Sequence, residues 1–74
     1  MSPDKLVYMA NQIATFFRSQ PGTDQVDRIA AHIRDFWEPR MIEDLSAHVA
    51  AGGGGLTPEA AGAIRILRPE SATS

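Results

Sequence analysis

Two histidines, His32 and His48, and a run of acids, Asp35, Glu38, Glu43 and Asp44, are the residues of this chain whose types could do chemistry. Imidazole and carboxylate together suggest a metal site or general acid–base work. A metal would need a third ligand, Asp35 or Asp44, and no spacing in the chain demands one. Both histidines fall at the margin of an apolar helical stripe: His32 follows Ile29 by three, and His48 follows Leu45 by three. They read as boundary histidines, and the acids as a solvated face. Serine, histidine and aspartate are all present, but no Gly-x-Ser-x-Gly nucleophile motif occurs. The run "GGGG" (Gly52–Gly55) is not a phosphate loop, because a helical pattern precedes it and no Gly-Lys-Ser/Thr follows. No catalytic, cofactor-binding or metal-ligating residue is assigned.

The remaining stretch of note is "FWEPRM", Phe36–Met41. It sets the only tryptophan beside a phenylalanine, a helix-breaking proline and an arginine. Trp and Arg are enriched in interface hot spots. Phe16 and Phe17 compete with Phe36 and Trp37 for one small interior, so part of this aromatic area is expected at the surface. Phe36, Trp37, Pro39 and Arg40 are therefore the expected partner contacts, with Tyr8 and Asn11 on the first helix as the further docking positions.

Four helical segments must carry these residues. The first opens with Ser2 as cap and Pro3 at the first helical position, and Leu6, Met9, Ala10, Ile13, Phe16 and Phe17 recur at spacings of three and four. "QPGT" stops it. The second starts near Thr23 or Asp24 and carries Val26, Ile29, Ala30, Ile33 and Trp37. Pro39 disfavours helical geometry at Glu38 and also suits the start of a new helix. The third runs from Pro39 to about Ala51, with Ile42, Leu45 and Val49. The fourth opens at Thr57–Pro58 with a weak apolar face of Ala60, Ala61, Ile64 and Leu67. Nothing reads as a strand. The expected fold is all-α: a three-helix domain over 1–51, a glycine hinge at 52–55, and a short, marginal C-terminal helix and tail over 56–74.

The balance of the chain points to a partner. A 74-residue domain buries only about 60% of the surface its unfolded chain exposes. Small domains recover stability through disulfides, metals or association, and this one has no cysteine. Self-association of the isolated chain is one outlet for that need. Net charge is −2, and residues 24–51 hold six acids against three arginines. That disfavours nucleic acid, including a helix-turn-helix reading of segments two and three, since acids would face phosphates. No secretory signal is visible and no apolar run approaches the ~20 residues of a membrane span; a cytoplasmic location is expected.

"DKLVYMANQIATFF" (Asp4–Phe17), "HIRDFWEPRM" (His32–Met41) and "HVAAGGGGL" (His48–Leu56) together resemble the delta subunit of the soluble NAD-dependent formate dehydrogenases. Tyr8 departs from the pattern, where a basic residue is expected. The resemblance implies a small non-catalytic subunit of a cytoplasmic complex that oxidises formate to CO2 and reduces NAD+. It implies that the large alpha subunit carries a molybdenum or tungsten pterin and iron–sulfur clusters. Beta and gamma subunits would carry FMN, further clusters and the NAD site. This chain would bind none of these groups and would serve assembly or stability, docked on the large subunit. The alternative is a transient assembly factor that visits the immature enzyme and leaves.

Overall fold

The computed structural model describes residues 3–68, and the expected Ser2 cap lies outside them. Four helices follow in order: α1 (Pro3–Arg18), α2 (Gln25–Phe36), α3 (Pro39–Ala50) and α4 (Pro58–Leu67). Pro3, Pro39 and Pro58 each stand at the first helical position, where a missing N–H costs nothing and a fixed φ favours the helix. Asp4 and Glu59 lie in first turns, beside the positive helix ends.

The stops have equally local causes. After α1, the amide of Gln20 bonds the carbonyl of Phe17 at 3.0 Å, and Gly22 takes a φ of 114°. Asp24 precedes α2 without capping it; its carboxylate instead pairs with the Arg28 guanidinium at 3.1 Å, one turn on. Helix α2 ends at Phe36 because Pro39 forces Glu38 into extended backbone (φ −72°, ψ 149°), and Trp37 is extended as well. Thr57 caps α4 as its sequence suggests, its hydroxyl accepting from the Ala60 amide at 3.2 Å.

All four helices feed one core. Its largest fully buried side chains are Leu6 from α1, Ile29 and Ile33 from α2, Leu45 from α3 and Ile64 from α4. Helix α4 is as short as its pattern implies, yet it packs centrally rather than at the margin. Ala60, Ala61, Ala63 and Ile64 are buried, and α2 with α4 form the most extensive helix pair. The weak apolar face is a close-approach face: small side chains let the two backbones near each other. A Cβ placed on Gly62 would lie 3.3 Å from a Val26 methyl.

The glycine connector at 52–55, expected as a hinge, carries hydrogen bonds from both α1 and α3. Gly52, Gly53 and Gly55 take positive φ values of 124°, 66° and 85°, which side chains resist. The Gly53 amide caps α3 by donating to the His48 carbonyl at 2.9 Å. Asn11 on α1 donates to the Gly55 carbonyl at 2.8 Å and accepts from the Thr57 amide at 3.0 Å. The His48 ring Nε2 bonds the Gly54 carbonyl at 2.7 Å. Two helices thus hold the connector, and the connector sets α4 against α2.

Candidate docking surfaces

Adjacent side chains on a helix point about 100° apart, and the two neighbouring aromatics of α1 take different environments. Phe17 turns toward the core and is half-buried, whereas Phe16 is 60% exposed. Their rings meet edge to face, with centroids 5.2 Å apart. The Phe17 ring lies 5.9 Å from that of His32 on α2, and His32 stacks on Phe36 one turn later at 4.6 Å with a 30° tilt. Phe36 is 75% exposed. The four rings make a continuous ladder across α1 and α2. A groove of about 250 Å³, lined by Gln12, Ile13, Phe16, Phe17 and His32, runs beside it.

Among the residues expected at a partner surface, Phe36, Pro39, Arg40 and Tyr8 are exposed, Tyr8 to 64%. Trp37 is not: it is 7% exposed and belongs to the core. Leaving the helix in extended backbone returns its indole to the bundle, beside Ile42 and Leu67. Asn11 is half-buried, and both ends of its amide are engaged by the connector. Phe16 and His32 are not among the partner contacts expected from the sequence, although His32 reads there as a boundary residue and is half-buried. The signal was present in "FF" at 16–17, which the i, i+3, i+4 rule cannot bury equally.

A second concavity, of about 310 Å³, lies where α2 ends, α3 begins and α4 ends. Trp37, Ile42, Leu67 and Pro39 give it apolar walls, and Arg34 and Arg68 supply its charge. Among the described residues no three His, Asp or Glu side chains gather as a metal site requires. No helix there is long and apolar enough to cross a membrane.

A family model described as "NADH-dependant formate dehydrogenase delta subunit FdsD" matches residues 5–64, from the first turn of α1 to Ile64 in α4. The chain belongs to that family. The matched span includes the aromatic ladder, the glycine connector and the central part of α4. No curated protein and no solved structure of significant similarity was found. Membership in the delta subunit family places the chain among the subunits of a formate dehydrogenase and so implies partner subunits.

Proposed function

We propose that the chain is a non-catalytic structural subunit of a cytoplasmic NAD-dependent formate dehydrogenase and docks on the large catalytic subunit through the aromatic ladder. The observation that carries this is the exposure of Phe16 and Phe36 at the two ends of a stacked array. Contiguous apolar surface of this kind marks interaction sites on small soluble domains. Rigid aromatic rings lose little freedom on binding and bring large contact area. In this reading the partners do the chemistry, formate and NAD+ giving CO2 and NADH. Their molybdenum or tungsten pterin, iron–sulfur clusters, FMN and NAD site lie outside this chain, which holds the assembly together.

The test is co-expression of the tagged chain with its formate dehydrogenase subunits, followed by capture of the active complex. The expected result is a stoichiometric chain in the mature enzyme, lost when Phe16 and Phe36 are both replaced by serine. Recovery of the chain only with immature, cofactor-free subunits would overturn the reading in favour of a transient assembly factor.

A further inference from the structure

The corner concavity between α2, α3 and α4 is separate from the aromatic ladder. The charged groups that line it are both guanidinium groups, Arg34 and Arg68. Neither is saturated by its neighbour. Arg34 gives its Nε–H to Asp35 at 3.3 Å, with both side chains more than half exposed. Arg68 Nη2 stands 3.8 Å from a Glu43 oxygen, beyond hydrogen-bond range. A guanidinium presents five N–H donors in a planar fork that matches a carboxylate. Among the described residues most of these donors have no partner, and the acids that approach them lie outside the lining.

The floor is built to stay in place. Trp37 and Ile42 are buried, Leu67 is half-buried, and Pro39 fixes the backbone of the bend. At about 310 Å³ the space lies at the bottom of the ~300–1,000 Å³ range of small-molecule sites. It suits one or two protein side chains better than a cofactor. We propose that this corner receives a segment of a formate dehydrogenase partner subunit that carries an aspartate or glutamate beside an apolar side chain. The apolar group seats on Trp37 and Leu67, and the carboxylate is forked by Arg34 and Arg68. A preorganised apolar seat with arginines at its rim lowers the ordering cost of such a contact. This rests on the subunit reading above and specifies the partner's chemistry.

The full chain is titrated onto the complex lacking it, as wild type, as Phe16→Ser, as the double variant Arg34→Gln/Arg68→Gln, and as Arg34→Lys/Arg68→Lys. The glutamine pair is expected to weaken binding at least about tenfold at about 50 mM salt, with the gap narrowing at about 500 mM. The lysine pair, which keeps charge but loses the fork, falls between. Both side chains are exposed, so helical content and thermal midpoint stay at wild-type values. If the glutamine pair binds like wild type while Phe16→Ser is weakened, the corner proposal falls and the subunit reading stands. If wild type itself does not bind, both fall. A deficit that salt leaves unchanged would overturn the carboxylate partner. A chain ending at Arg68 that binds more tightly would assign the corner to residues 69–74. Dimers abolished by the glutamine pair would assign it to a second copy. Either outcome overturns the proposal.

Discussion

The side chain of Asn11 in α1 accepts a hydrogen bond from the backbone amide of Thr57, 46 residues later, at 3.0 Å. Its other end donates to Gly55. One amide therefore holds the entry to α4 and ties the first helix to the last. Asn11→Ala removes both bonds, each worth about 0.5–1.5 kcal/mol net. The expected loss is about 1–3 kcal/mol, and each kcal/mol lowers the melting temperature of a domain this size by about 4–8 °C. Asn11→Asp keeps the acceptor for Thr57 but sets a carboxylate against the Gly55 carbonyl, and should melt no higher than wild type. Thermal scans of the three chains check this.

Removing α4 tests whether the connector is a hinge or a fixed joint. Ile64 is fully buried beside residues of the other helices. A chain ending at Gly55 leaves the faces of α2 and α3 that α4 covers open to water. The far-ultraviolet helical signal is expected to fall by far more than the ten residues of α4 contribute. A truncated chain that keeps its first three helices would show that α4 packs as an independent appendage.

Phe36 and Trp37 are chain neighbours with opposite environments, and their alanine variants should separate folding from docking. Trp37→Ala opens the core and is expected to cost about 3–5 kcal/mol. A domain of 74 residues holds only about 4–11 kcal/mol in all, so most of the chain's stability is at stake. Phe36→Ala, at an exposed site, should stay within about 0.5 kcal/mol of wild type. It should nonetheless weaken capture of the complex. Urea unfolding and co-purification read the two effects.

Gly62 sits inside α4 against Val26. Alanine there gains about 1 kcal/mol of helix propensity and meets a methyl group at 3.3 Å, so the two effects nearly cancel. Gly62→Ala is expected within about 1 kcal/mol of wild type. Gly62→Val cannot be accommodated so simply and should cost about 1–3 kcal/mol by overpacking. Chemical denaturation midpoints distinguish the pair.

Where the helices begin and end was legible in the sequence, because those signals are local. A proline at the first helical position, a glycine after the last turn and the i, i+3, i+4 recurrence of Leu6 and Ala10 in α1, Ile29 and Ile33 in α2, and Ile42, Leu45 and Val49 in α3 act within a few residues. They settle an all-α class before any packing is known. Which faces become interior was not legible, because burial depends on what each face meets. The alanine-rich side of α4 looks weak by apolar content, yet its small side chains let α2 approach and bury it. The sequence places Phe36 and Trp37 together as expected partner contacts; the bend before Pro39 decides that Trp37 turns inward and Phe36 outward. Asn11 reads from the sequence as a docking position on α1; only the fold shows that the connector crosses it and engages both ends of its amide. The guanidinium rim at the corner joins residues from α2 and from just beyond α4, 34 positions apart, so only the tertiary structure brings Arg34 and Arg68 to one opening.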